Sequence, residues 1–457
     1  MDQGNIEQVY ELSYLQEGLL FESLYTESKS NYFIQSVYQI KGNLDVQKFR
    51  LSFDYLMMKY DVLRTAITIL PSSGRAWQVV LKNREIEVDF VHLSQKEGAT
   101  IDQQFDCLMK EDLERGFDLE KDSLLRVHLV NIGEDTWRII WSIHHIIIDG
   151  WCNSILIADF FRIYKMLIDV RDTKIVEDRI LREKKEVGSY RSFIEWQRAQ
   201  DLDESLSYWK KLLEGYEESL TILPIPDNFM SEEISETDNR VFDNNKIIRK
   251  ISKENSQRIK QFCRKERITL NQLMETSWGI LLQKYNYVDR AVFGKVVSGR
   301  NVDIKNIETA IGLFVNTIPI LVDNSSDLTV REIIHDVQQQ AYESLSYEHT
   351  PLLEIQKQTV NQTKFFDTLF VFENFYTQDI NSSMLKGLDI EIYHDREETS
   401  YDLCIGIDSV DEIKIDIIFD PGKYSPLQIE YILEQYENLI LSLIDNPDKK
   451  ISDLTCL

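Results

Sequence analysis

One stretch, residues 139–151, constrains the fold more than any other: I-I-W-S-I-H-H-I-I-I-D-G-W. Its apolar run is β-branched and aromatic, and far shorter than the roughly 18 residues of a membrane span. Such a run belongs in a buried strand, and Asp149-Gly150 is a turn signal that ends it. Side chains alternate along a strand, so His144 and His145 are expected to point to opposite faces. One imidazole then faces open space while the other is tied into the scaffold. Residues 153–170 predict a helix directly after the turn, with its backbone N–H groups and positive dipole end aimed back at it.

At 457 residues the chain is too long for one hydrophobic core, so two lobes of about 200 residues each are expected. Helical spacing is read over residues 9–24 and 45–60, and strand patterns over 33–40, 63–67, 77–81 and 124–130. Between Arg171 and Glu186, eleven of sixteen residues are charged, which reads as a linker. The expected division is therefore an N-terminal lobe over 1–170, a linker over 171–188 and a C-terminal lobe over 189–457. In the second half, helices are predicted over 190–200, 270–285, 328–345 and after the Ser425-Pro426 cap. Strands are predicted over 291–297, 318–322, 366–372, 401–407 and 411–419. Strands and helices alternate throughout, the pattern of layered α/β architecture.

Charge and cysteines exclude several classes of function. With 51 basic against 77 acidic residues, the formal net charge of −26 repels nucleic acid and anionic membrane surfaces. Cys107, Cys152, Cys263, Cys404 and Cys456 are scattered, without C-x-x-C spacing, and read as reduced thiols of a cytoplasmic protein. Glutamates at positions 7, 11, 17 and 22 exclude a secretory signal. No nearby residue offers a third ligand beside the two diverging histidines, so no metal is expected.

The pattern His144-His145-x-x-x-Asp149-Gly150 supports proton transfer. A neutral imidazole takes a proton from a nucleophile, donates one, or hydrogen-bonds a developing charge. Asp149 either orients a histidine or pairs with an arginine to hold the turn. Gly150 allows close backbone approach, and its N–H is a candidate oxyanion donor. Against this stands the ordinary role of a strand histidine as a satisfied core or surface group.

H-H-x-x-x-D-G-W resembles the central motif of nonribosomal peptide synthetase condensation domains, a branch of the chloramphenicol-acetyltransferase-like acyltransferases. Residues 12–21, L-S-Y-L-Q-E-G-L-L-F, are similar to the family's first motif. Residues 60–65, Y-D-V-L-R-T, are similar to the second, with Tyr60 where the family usually has His. Residues 190–196 occupy the place of the fourth motif. I-G-L-F-V-N-T at 311–317, E-H-T-P-L at 348–352 and F-D-T-L-F-V-F-E-N at 366–374 are similar to the fifth, sixth and seventh.

The resemblance implies two chloramphenicol-acetyltransferase-like lobes in a V-shaped pseudo-dimer with a tunnel between them. It implies amide-bond formation between a donor thioester and an acceptor amine, both on phosphopantetheine arms of upstream and downstream carrier proteins. The domain itself would bind no cofactor. His145 becomes base or positioner and Gly150 a donor near the carbonyl, while His144 and Asp149 become structural, with Arg300 as the arginine that holds Asp149. Trp151 becomes cleft wall, and Asn316 and Thr317 face the cleft. His349 and His394 are expected to be ordinary surface or loop histidines. The resemblance also implies a monomer when excised from a synthetase, with an adenylation domain adjacent. The Q-E-G-x-L-F form of the first motif leans toward a D-configured donor and an L-acceptor. An epimerization domain shares the histidine motif, and a non-catalytic docking domain is the alternative outside enzymology.

Overall fold

The computed structural model describes residues 3–25, 32–70, 74–95, 99–216, 219–223, 242–243, 245–358, 366–373, 388–396, 401–410 and 412–454. Contacts divide the chain into two compact units. The first holds Met1–Gln200, Val302–Phe314 and Phe375–Glu398; the second holds Asp201–Asn301, Val315–Asn374 and Thr399–Leu457.

The first unit is built on a five-stranded sheet in the order Asp389–Arg396, Phe33–Lys41, Thr136–His144, Leu125–Gly133, Glu87–His92. All neighbours are antiparallel except the last pair. Thr136–His144 is the central strand, and alternation assigns its faces. Trp141 packs near Phe53 (5.5 Å between centroids) and Phe160 (5.9 Å), on the helices Val46–Lys59 and Gly150–Asp169. Ile140, on the opposite face, joins Val37, Val130 and Phe105, the last from helix Ile101–Arg115. Asp45 starts the first of these helices by accepting from the N–H groups of Gln47 and Lys48. A second sheet of three strands runs in the order Ile6–Glu11, Ala76–Leu81, Thr65–Ile69.

The second unit has a seven-stranded sheet: Asn316–Asp323, Arg290–Val297, Thr368–Glu373, Leu403–Asp408, Lys414–Phe419, Lys246–Lys250, Phe242–Asp243. Its core is completed by helices Lys253–Glu266, Leu270–Asn286, Val330–Ser344 and Pro426–Asp445. In helix Leu270–Asn286 the apolar residues Leu273, Met274, Trp278, Ile280, Leu281 and Leu282 are all buried.

Four expectations are corrected. The charged stretch 171–188 is not a linker: Thr173–Lys184 is a helix of the first unit that buries Val176 and Ile180, with its charges solvated or paired. The single boundary after residue 188 fails as well, because Asp389–Arg396 hydrogen-bonds along Phe33–Lys41 in the first unit. Pairing across so large a sequence separation carries no local signal. Residues 9–11 are strand, not helix, because Ile6–Glu11 pairs with Ala76–Leu81 and tertiary pairing overrides helical spacing. Residues 63–64 belong to a 3-10 turn, Asp61–Arg64, since Arg64 bonds back to the Met57 carbonyl and to Asp61.

Helix Leu270–Asn286 lies directly on strand Asn316–Asp323 at Gly279, where an added Cβ would stand 2.3 Å from Val322 Cγ2. Gly279→Ala is expected to destabilise the protein by roughly 1–3 kcal/mol through overpacking, despite alanine's better helix propensity. Urea unfolding of the variant measures this.

Candidate active site

The strand that delivers the histidines ends at His144, earlier than expected, and residues His145–Ile147 form a 3-10 turn. The physical reason is local. His144 Nδ1 accepts the N–H of Ile146 at 3.1 Å, which caps the turn and diverts that donor from the sheet ladder. The His145 N–H still reaches the Tyr32 carbonyl at 2.8 Å, and Ile148 N–H closes the turn on the His145 carbonyl at 3.2 Å. His144 is fully buried, and desolvation, with the neighbouring His145 adding to it, pulls its pKa down to about 3. Accepting at Nδ1 places its proton on Nε2. His145 is only partly buried.

Asp149 begins helix Gly150–Asp169 and is buried. Its Oδ1 accepts from Cys152 N–H at 2.9 Å and its Oδ2 from Phe314 N–H at 3.1 Å. One carboxylate thus joins the histidine turn to the segment Val302–Phe314, which carries the start of the I-G-L-F-V-N-T motif. Cys152 adds to the joint: its thiol lies 3.1 Å from the Gly312 carbonyl and accepts from Gly312 N–H at 3.3 Å. Tyr190 donates to the Leu313 carbonyl at 2.8 Å and packs against Gly312, where a Cβ would collide with its ring. The indole of Trp151 donates to the Glu308 carbonyl at 3.3 Å. Gly150 is the first helical residue, ahead of Cys152 and Asn153, whose N–H groups go to Asp149.

Sequence patterns alone assigned no role to Gln16. Its side-chain amide donates to the Ile146 carbonyl at 2.7 Å, holding the turn from helix Tyr14–Tyr25, and exchanges bonds with Gln78. Its place in the first motif was the signal available. Arg64 bonds to Glu7, Asp61 and the Met57 and Leu81 carbonyls, all scaffold groups of the first unit. The Tyr60 hydroxyl donates to Asp159 at 2.5 Å; burial and that carboxylate raise its pKa. A 510 Å³ cavity lined by Tyr60, Asp159, Arg162, Trp151 and Ile155, among others, lies beside this network and does not include His145.

The remaining candidates belong to the second unit. Asn316 is buried, and its amide donates to the carbonyls of Glu348 at 2.7 Å and Thr350 at 2.8 Å, so it clamps the E-H-T-P loop. Thr317 is half-buried, opposite Val296. Arg300 is buried and follows Gly299, which has a positive φ of 65°. Burial raises the Glu348 carboxyl to about 7, with Glu275 adding and Lys295 opposing. His349, expected as an ordinary surface or loop histidine, lies half-buried in a turn and shares a hydrogen bond with Ser205 Oγ at 3.1 Å. The side chain of His394, together with Asn374 and Cys456, lies outside the described residues. Among the described residues no group of three or more His, Cys, Asp or Glu is arranged to hold a metal ion, and no helix is long and apolar enough to cross a membrane.

Removing the Asp149 carboxylate strips a helix cap and leaves the buried Phe314 N–H without that acceptor. Asp149→Ala is expected to cost roughly 1–3 kcal/mol, read by urea unfolding. For His144 the folded pKa lies below the unfolded value of about 6.5. The unfolded chain therefore binds the extra proton, and stability is lost as pH falls from about 6.5 toward 3. His144→Gln is expected to flatten the stability-versus-pH curve in that window.

A family model described as "Condensation domain" matches residues 6–457. The chain is 31% identical over 460 residues to a mycosubtilin synthase of Bacillus subtilis, covering 99% of this chain and 17% of that protein. It is 32% identical to a plipastatin synthase of Bacillus subtilis (strain 168), covering 97% and 12%. It is 31% identical to gramicidin S synthase 2 of Aneurinibacillus migulanus, covering 99% and 10%. The chain thus spans less than a fifth of these relatives. Among solved structures, a four-domain nonribosomal peptide synthetase bound to AMP and glycine superposes with a TM-score of 0.78 at 18% identity, over 99% of this chain and 34% of that one. The condensation domain of a Monacolin K polyketide synthase superposes at 0.77 and 14% identity, over 98% and 100%. These structural likenesses concern the fold.

Proposed function

We propose that this chain, which belongs to the condensation-domain family, joins a donor acyl thioester to the amine of an acceptor thioester, each carried on the phosphopantetheine arm of a carrier protein. One observation supports this most: the family match runs from residue 6 to 457 and contains an intact H-H-x-x-x-D-G turn. The chemistry asks little beyond placement. An α-amine titrates near 7.7–8.0, so about a tenth of it is neutral at pH 7. Juxtaposing amine and activated carbonyl removes up to roughly 7–11 kcal/mol of barrier.

In this reading His145 positions the amine or takes its proton, a contribution of roughly 10²–10⁴-fold. The Gly150 N–H, at the positive end of a helix, stabilises the carbonyl oxygen as it becomes tetrahedral. His144 and Asp149 hold the turn, Trp151 forms wall, and Asn316 and Thr317 shape the second unit's contribution. The partners are an upstream donor carrier, a downstream acceptor carrier and an adjacent adenylation domain, in the cytoplasm. The donor is D-configured and the acceptor L.

Two loaded carrier proteins incubated with the domain, with products followed by mass spectrometry, test the reading. A dipeptidyl thioester is expected, reduced roughly 10²-fold or more in His145→Ala. Inversion of the donor without coupling would identify an epimerase. No product from wild type, or an undiminished yield from His145→Ala, would overturn the mechanism. Paired D- and L-donors decide chirality.

A further inference from the structure

Asp112, on helix Ile101–Arg115, lies outside every motif and is among the most enclosed charges of the first unit, its side chain 1% exposed. Its Oδ1 accepts from Arg126 Nε at 2.5 Å and from His128 Nε2 at 3.1 Å. Its Oδ2 accepts from Ser142 Oγ at 2.5 Å and from Gln35 Nε2 at 3.0 Å. An ionised carboxylate only accepts, and four donors fill it. Burial works against the charge, but His128, Arg126 and Ser142 outweigh it and hold the carboxyl down at about 2. Charged groups facing this network include Asp89, 3.4 Å from His128 Nδ1, and Glu87, which pairs with Arg115 and lies in the field of Arg126 and His128.

Two routes lead from this carboxylate to the histidine turn. Ser142 precedes His144 by two residues on the same strand and so shares its face. Gln35 and Ser142 are register partners, and the pair above them is Phe33 and His144. The Arg126 guanidinium lies over the Phe117 ring at 4.7 Å, and Phe117 meets the His144 ring edge-on, 6.2 Å between centroids. Arg126 is held over that ring by Asp112 and by the Gly116 and Asp112 carbonyls.

We propose that Asp112 is a positioning residue for the coupling site. Through Ser142, and through Arg126 and Phe117, it fixes the ring plane of His144, and hence the turn that presents His145. This rests on the function proposed above. The molecule supplies its own control: Arg138 Nη1 pairs with Asp102 at 2.8 Å, a second tie between the same helix and the same strand, at the end remote from the histidines. A tie that merely secured the helix would act alike at both places.

The full chain, labelled with ¹⁵N-histidine, is compared as wild type, Ser142→Ala, Asp112→Asn and Asp102→Asn, at a temperature where circular dichroism shows native structure. The imidazole nitrogens of His144 and the kcat and KM for dipeptide formation are measured. Wild-type His144 is expected to be neutral with its proton on Nε2. Ser142→Ala, which keeps the Asp112–Arg126 pair, is expected to shift those signals and lower kcat roughly tenfold with carrier KM unchanged. Asp112→Asn is expected to do so more strongly, and Asp102→Asn to leave both readouts alone. Should Asp112→Asn not fold, Ser142→Ala carries the test. Wild-type His144 signals and kcat in folded Ser142→Ala, or equal effects from Asp102→Asn, would overturn the proposal. If wild type forms no dipeptide, the coupling reading fails while the His144 signals still decide this one.

Discussion

The arrangement of the first unit's candidate site depends on the Asp149 carboxylate. Two oxygens reach two backbone N–H groups far apart in sequence, Cys152 at the start of a helix and Phe314 in a returning segment. A buried carboxylate is costly unless its acceptor sites are filled, and here two of its donors are backbone N–H groups. The turn between strand and helix is held both by its own residues, through the His144 cap, and from outside, through Phe314 and Gln16. Around this joint the segment Val302–Phe314 is stitched down further, by Cys152 to Gly312, Tyr190 to Leu313 and Trp151 to Glu308.

Polar groups buried behind the histidines divide into a neutral and a charged layer. Gln16, Gln78 and the Ile146 carbonyl form an uncharged network under the turn. Asp112, Arg126 and His128 form an ionic one between helix Ile101–Arg115 and the five-stranded sheet. Both hold the strand end through buried hydrogen bonds, and the four donors to Asp112 occupy its acceptor sites, the condition under which buried polarity adds rigidity rather than strain.

How much was legible in the sequence follows from the range of each interaction. The helix over residues 46–59 was visible because its core face repeats every three to four residues and Asp45 caps it locally. The histidine strand was visible for its β-branched run, but its end was not, since the cap that stops it is the His144 side chain itself. Alternation along one strand was the expected cause of the divergence between His144 and His145. In the structure the chain changes from strand to 3-10 turn between them, with His144 buried and His145 only partly so. The charged stretch after Arg171 misled because composition was read without phase: Val176 and Ile180 stand four apart and suffice to anchor a solvated helix.

Local chemistry, then, was determined by the sequence alone. The order of chemistry-bearing residues from His144 to Gly150, the capped helices and the family resemblance all lie in neighbouring residues or in fixed motif spacings. Tertiary structure alone decided which segments share a unit. Asp389–Arg396 joins Phe33–Lys41, Phe314 reaches Asp149, and Asp112 gathers donors from three strands. Hydrogen bonds between distant segments leave no periodicity in either partner, and only closing the chain brings their donors and acceptors within 3 Å or so of one another.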